Sequence, residues 1–258
     1  MRLDIFLTQK GHASSRTKAQ NLITEGYVFV NGNVVDKPSF QLGENDQVTI
    51  KQHDRYVSRG AYKLLGATDK FNLNFSEKIV LDMGASTGGF TQVALEKGAK
   101  KVFAVDIGKS QLDESLKNNS RVVCLENTDI RNVDKDMVEN VALIIGDLSF
   151  ISLEKVLPHL KQVFGAKEMA ILFKPQFECG RDLARKYKGV VKDKVVHKNL
   201  LKNFILFCQN LGFLVSDLTA SPIKGGDGNI EYIVHLNGEI QNYNLEKIVE
   251  EAFKKEDN

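Results

Sequence analysis

A chain of 258 residues, 42% hydrophobic and 26% charged, is long enough for one large domain or for a medium domain with a small companion. No apolar run approaches the ~20 residues that span a bilayer. The opening "MRLDIFLTQKGH" lacks the apolar core of a secretion signal, and Cys124, Cys179 and Cys208 are too scattered for a disulfide framework or a zinc site. These features predict a cytoplasmic protein with no membrane partner and no metal.

The formal net charge of +2 is unevenly spread. Residues 161–202 hold eleven Lys or Arg against four Asp or Glu, while residues 239–258 hold six acids against three lysines. This asymmetry points to a polyanionic partner or to a solvated basic surface. In chain order, "LDIFLTQK" places Leu3, Phe6 and Leu7 at helical spacing. "GHASSRTKAQNLITEG" reads as a second helix, capped by Ser14 or Ser15 and stopped by Gly26. Ala19, Leu22 and Ile23 form its apolar stripe, with Arg16 and Lys18 opposite. "YVFVNGNVVDKP" is a hairpin whose Asn31-Gly32 pair predicts a type I′ turn, and Asp46 to Ile50 offer one more short strand.

The elements R-L-D, S-R-x-x-A and V-x-V-N-G in residues 1–50 resemble the S4 domain, a module of RNA-binding proteins. The resemblance implies that Arg2, Arg16, Lys18 and the Gly26–Gly32 region face structured RNA, where basic side chains meet phosphates and 2′-hydroxyls. Residues 51–60 form the expected linker, with Arg59 as a further RNA contact, and residues 61–258 a second domain.

From Ile79 onward, short apolar runs ("IVLDMG", "KVFAVDIG", "RVVCLEN", "VALIIGDLSF", "MAILFKPQF", "FLVSDLTAS") alternate with amphipathic stretches. The pattern predicts an α/β fold, a mostly parallel sheet with helices on both faces. "NIEYIVHL" follows "FLVSDLTAS" with no helix between, so it is expected to pair antiparallel with it. The turn "VLDMGASTGGF" departs from the dinucleotide pattern G-x-G-x-x-G, because Ser86 stands between Gly84 and Gly89. Asp82 at the end of the strand would repel a pyrophosphate, and Asp106 ends the next strand where a ribose-binding carboxylate belongs. Together they suggest a nucleoside ligand without a pyrophosphate, and S-adenosylmethionine, a cationic methyl donor, fits.

"DMGASTGGFT" resembles motif I of the FtsJ-like methyltransferases. That resemblance puts the methionyl part of the cofactor on the loop with Gly84, Ser86, Gly88, Gly89 and Phe90, and assigns Asp129 to the adenine amino group. Four charged residues then stand in notable places: Asp147 and Lys174 after apolar runs, Glu231 inside the final strand, and Lys63 at the head of a helix just after the linker. They resemble the Lys-Asp-Lys-Glu tetrad of FtsJ-like 2′-O-methyltransferases. Through "VSRGAYKL", "DLSFISL", "LFKPQFE" and "SPIKGGDGNIEY", the whole chain resembles the TlyA (hemolysin A) family of ribosomal RNA 2′-O-methyltransferases. The implied organisation is an S4 domain followed by a Rossmann-like class I methyltransferase domain. The implied activity is methylation of cytidine ribose in ribosomal RNA, with the large subunit favoured because no extra helix precedes the S4 motif.

A lysine accepts the proton of a ribose hydroxyl only when burial or a neighbouring cation lowers its pKa; Lys174 is the candidate base and Lys63 the cation. "ECGRDLARKYKGVVKDKVVHK", with Arg181 and Lys188, reads either as a mobile loop that covers RNA beside Lys174 or as a solvated loop and helix, and "KVVHKNLLKNFILFCQNLG" as a helix. The five histidines show no metal spacing. A non-catalytic RNA-binding or ribosome-assembly factor could dispense with Asp147, Lys174 and Glu231, and a membrane-acting hemolysin would need a spanning or long amphipathic segment.

Overall fold

In the computed structural model, which describes residues 1–13, 15–24, 26–50 and 55–254, the chain divides into two units, Met1–Arg59 and Gly60–Asn258. The first unit begins with helices α1 (Leu3–Gln9) and α2 (Arg16–Thr24). Ser15 caps α2, its Oγ accepting from the Lys18 N–H at 3.2 Å. The other expected cap, Ser14, lies outside the described residues, as do residues 51–54 of the expected linker. Strands β1 (Val28–Val30), β2 (Asn33–Val34) and β3 (Val48–Ile50) form an antiparallel sheet in the order β2-β1-β3. The turn joining β1 to β2 needs positive φ at both central residues, and Asn31 (52°) and Gly32 (81°) supply it. Leu3, Leu7, Ala19, Ile23, Val28 and Val30 close the core, so the apolar spacing read from the sequence is the spacing that is buried.

The second unit runs α3 (Gly60–Phe71), β4 (Ile79–Met83), α4 (Gly89–Glu96), β5 (Lys101–Val105), α5 (Glu114–Lys117), β6 (Val122–Leu125) and β7 (Leu143–Gly146). It continues through α6 (Leu157–Phe164), β8 (Glu168–Phe173), α7 (Pro175–Glu178), α8 (Gly180–Lys186), α9 (Lys194–Asn210), β9 (Val215–Ala220), β10 (Tyr232–Leu236) and α10 (Leu245–Lys254). Seven strands form one sheet in the order β6-β5-β4-β7-β8-β10-β9. Strands β4 to β8 pair in parallel, and β10 lies antiparallel between β8 and β9. Helices cover both faces, which is why β4, β7 and β8 read as nearly continuous apolar runs, broken only by Asp82 and the leading Glu168, rather than alternating ones.

The topology positions the site. The chain steps from β4 outward to β6, then crosses back to β7 on the other side, so the switch point between β4 and β7 opens a crevice at the C-terminal strand ends. Because β10 is antiparallel, with Tyr232 opposite Phe173, its beginning lies at the same end as the finish of β8.

One expectation needs correction, and one open choice is resolved. Glu231 was expected inside the last strand, but the ladder with β8 starts at Tyr232 and Glu231 precedes it, its carbonyl accepting from the Ser221 N–H at 2.9 Å. Of the two readings of the basic segment 178–198, the loop-and-helix one holds: α8 and the start of α9 fall within it, α9 beginning at Lys194 as read from the sequence. Asp193 caps α9, accepting from the Val195 and Val196 N–H groups at 2.8 and 3.2 Å, a start signal hidden among the lysines. No helix among the described residues is long and apolar enough to cross a membrane.

Candidate active site

Four strand-end or helix positions bring four charged side chains together. Lys63 comes from the first turn of α3, Asp147 follows β7, Lys174 follows β8, and Glu231 precedes β10. The Lys63 ammonium donates to Glu231 Oε2 at 2.8 Å and to Asp147 Oδ2 at 3.2 Å. Lys174 pairs with the other Asp147 oxygen at 2.5 Å and donates to Ser149 Oγ at 2.8 Å. Asp147 therefore bridges the two lysines, and two cations face two anions. Lys63, Lys174 and Glu231 are all buried, and ions this far from water persist only when paired in this way.

The network fixes its own charge states. Burial alone would lower the Lys63 pKa, but the Asp147 and Glu231 carboxylates outweigh it and hold the ammonium above the ordinary lysine range. Burial alone would raise Asp147, yet Lys174 and Lys63 hold it below the usual carboxylate range. Lys63 is thus a fixed cation and Asp147 a fixed anion beside Lys174.

Four neighbours were not foreseen from the sequence. Ser149 accepts from Lys174, and Gln176 Nε2 donates to Glu231 Oε1 at 3.1 Å. Gly225 lies against the Glu231 carboxylate, so any side chain there would collide with it. Phe150 is 91% exposed with φ at 64°, its ring centroid 5.2 Å from that of Phe177, which in turn lies beneath the Lys174 ammonium. An exposed ring beside a reactive group is a surface on which an unstacked base can rest. Only its place inside "DLSF" could have signalled it.

The glycine-rich turn lies against this cluster. Gly84 has φ at 77°, and a Cβ there would stand 2.9 Å from the Asp147 carbonyl oxygen, so the close approach of the two loops requires glycine. Ser86 also has a positive φ, 48°, and its N–H donates to Asp106 Oδ2 at 2.8 Å; the other Asp106 oxygen accepts from Gly108 N–H at 2.7 Å. Gly88 caps α4, Gly89 begins it, and Phe90 is buried. Asp82 is 0% exposed. Thr91 Oγ1 donates to one of its oxygens at 2.6 Å, and the other has no hydrogen-bond partner among the described residues. Burial, reinforced by the nearby Asp147 and Asp106 carboxylates, pushes Asp82 up to about 7. An orphaned buried carboxylate oxygen suits a cationic donor. Asp129 caps a turn at Ile130–Asn132 and pairs with Arg131 at 2.5 Å, which holds it below the usual range.

The expected RNA-facing residues occupy both units. In the first, Arg2 and Arg16 both donate to the fully buried Asp4 carboxylate at 2.9 Å while their side chains remain 36% and 55% exposed. Arg2 chiefly holds Asp4 below its ordinary range. Lys18 stands in the first turn of α2, and the Arg59 guanidinium fills the space that a side chain at Gly26 would need. In the second unit, Arg181, on α8, and Lys188 are exposed.

A mostly parallel seven-stranded sheet, with a glycine-rich turn after its first strand and strand-end acids at the switch point, defines the Rossmann-like methyltransferase class. Comparison with known proteins refines this. The FtsJ-like methyltransferase profile matches residues 56–238 and the S4 domain profile residues 1–48. The chain is 38% identical over 239 residues to the 16S/23S rRNA (cytidine-2′-O)-methyltransferase TlyA of Mycobacterium tuberculosis, covering 91% of this chain and 89% of that one. It is 36% identical over 254 residues to the 23S rRNA (cytidine-2′-O)-methyltransferase TlyA of Campylobacter jejuni, covering 91% and 98%. A solved structure from Streptococcus thermophilus, provisionally described as a hemolysin, matches at a TM-score of 0.76 and 35% identity, covering 100% of this chain and 98% of that one. The chain belongs to the FtsJ-like methyltransferases, in the TlyA family that joins such a domain to an S4 domain. It is an enzyme, and its cofactor is S-adenosylmethionine.

Proposed function

We propose that this enzyme methylates the ribose 2′-hydroxyl of a cytidine in ribosomal RNA, with the large subunit as substrate and Lys174 as general base. The observation that supports this best is the convergence of Lys63, Asp147, Lys174 and Glu231 at the switch-point crevice, against the Gly84 turn. When bound, S-adenosylmethionine supplies a methyl group on a cationic sulfur. Lys174, as a free amine, takes the hydroxyl proton. Lys63 stays charged beside it, while Asp147 anchors both nitrogens and Glu231 holds Lys63. Much of the remaining acceleration comes from alignment, because a well-held near-attack geometry contributes up to about 7–11 kcal/mol.

In this reading Asp82, the Gly84–Phe90 turn, Asp106 and Asp129 hold the cofactor. Residues 1–50 dock on RNA through Arg2, Arg16 and Lys18, with Arg59 in the 51–60 linker, while Arg181 and Lys188 guide the strand from within the 61–258 catalytic domain. The enzyme then works in the cytoplasm. Tritiated methyl transfer into isolated small and large subunits, followed by mapping of the modified nucleotide, tests it. A 2′-O-methylcytidine in large-subunit RNA is the expected product; a methylated base, or label in neither subunit, overturns the proposal.

Asp82 makes cofactor affinity depend on pH. Its carboxyl titrates near about 7, and the cationic cofactor prefers the anion. Below that pH, binding must first expel a proton, so affinity falls by as much as about tenfold per pH unit. Above it, affinity levels off. Calorimetry between about pH 6 and about pH 8 should show this slope, with proton release visible as a dependence on buffer ionisation heat. Asp82→Asn should bind more weakly and lose the slope.

A further inference from the structure

Glu178 ends the short helix that follows Lys174, and it is largely removed from water, which pushes its carboxyl up. A half-buried acid is costly unless its oxygens are used, and both are. Ser152 Oγ donates to Oε2 at 2.6 Å, and the Leu153 N–H donates to Oε1 at 2.9 Å. Both donors belong to the other strand-end loop, the one that leaves β7 through Asp147. Ser152 Oγ also caps the turn at Leu153–Lys155, accepting from the Glu154 N–H at 3.2 Å.

Between Asp147 and Ser152 lie Ser149, in contact with the Lys174 amine, and Phe150. Ser149 accepts the amine's hydrogen bond, and Phe150 holds its ring in solvent against Phe177. Asp147 fixes the near end of this loop through both lysines. Glu178 fixes the far end, four residues beyond Lys174 on the same short segment.

We infer that Glu178 is a positioning residue for methyl transfer: it latches the Asp147–Ser152 loop to the segment carrying Lys174, and so sets where Ser149 and Phe150 stand relative to the amine. The inference rests on Lys174 being the group that faces the target hydroxyl. A purely structural cap would affect stability alone. A latch also affects the rate of the bound complex, since a displacement of about 1 Å near the reacting groups costs about a hundredfold.

The test uses the full-length protein with large-subunit RNA, comparing Glu178→Ala, Glu178→Gln and Ser152→Ala with Lys174→Ala. Glu178→Ala should lower kcat by about 10–100-fold, with the dissociation constant for S-adenosylmethionine within about twofold of the parent. Glu178→Gln should recover to within about threefold, because an amide can still accept from Leu153 N–H and donate to Ser152 Oγ. If Glu178→Ala does not fold, Ser152→Ala removes one strand of the latch and should lower kcat by about 3–10-fold. A kcat within about twofold of the parent in Glu178→Ala, or in Ser152→Ala where Glu178→Ala does not fold, assayed well below the variant's melting temperature, overturns the latch. If Lys174→Ala keeps the parental rate, the underlying assignment falls instead, so the two failures are distinguishable.

Discussion

Replacing Lys174 with alanine lowers methyl transfer by about 10²–10⁴-fold, the usual contribution of a general base, while S-adenosylmethionine binds as before. The separation is expected because Lys174 contacts Asp147 and Ser149, whereas the turn proposed to hold the cofactor is organised by Gly84, Ser86 and Asp106. Lys174→Arg is the sharper variant. Arginine preserves a cation opposite Asp147 but does not give up its proton in a protein. If the side chain acts as base, the arginine variant is as inactive as the alanine one. If it only supplies positive charge, arginine restores much of the rate. Single-turnover transfer of tritiated methyl to large-subunit RNA, with calorimetric cofactor affinity measured alongside, decides between these outcomes.

The sheet was legible in the sequence because burial on both faces leaves a simple mark. "IVLDM", "ALIIG" and "EMAILF" are apolar but for Asp82 and the leading Glu168, and the helices between them carry helical periodicity instead. Asp147 and Lys174 were legible for a related reason: a charge directly after such a run has nowhere to go but the crevice. Ser149, Gln176 and Glu178 were not, because a serine, glutamine or glutamate in a polar segment looks solvated until the fold supplies its partner. The helical character of residues 180–186 was masked by glycines and lysines, and the Asp193 cap of α9 was one acid among many basic residues. Asp82 shows the limit of strand-end reasoning. Its position was foreseen, but its full burial, which makes it a proton-linked group against the opposing bond from Thr91, follows only from the way α4 closes over β4.

Asp147→Asn should produce the other large effect, and on two quantities at once. The amide keeps the side-chain shape but removes the negative charge that stands between two buried ammonium groups. Lys63 retains Glu231, while Lys174 keeps only the neutral Ser149. Leaving a buried charge without its partner costs about 3–5 kcal/mol of stability, and kcat should fall with it. The pH dependence fixes the cause. Asp147 is held below its unfolded pKa, so its contribution is present in full above that value, about 3.9, and fades as pH falls through the folded one. The stability gap between parent and variant, measured by urea denaturation, should therefore be largest near neutrality and narrow in acid. Adding Lys174→Met to Asp147→Asn removes the orphaned cation. The double variant should regain part of the lost stability while remaining inactive. A double variant no more stable than Asp147→Asn would assign the loss to packing around Asp147 rather than to its charge.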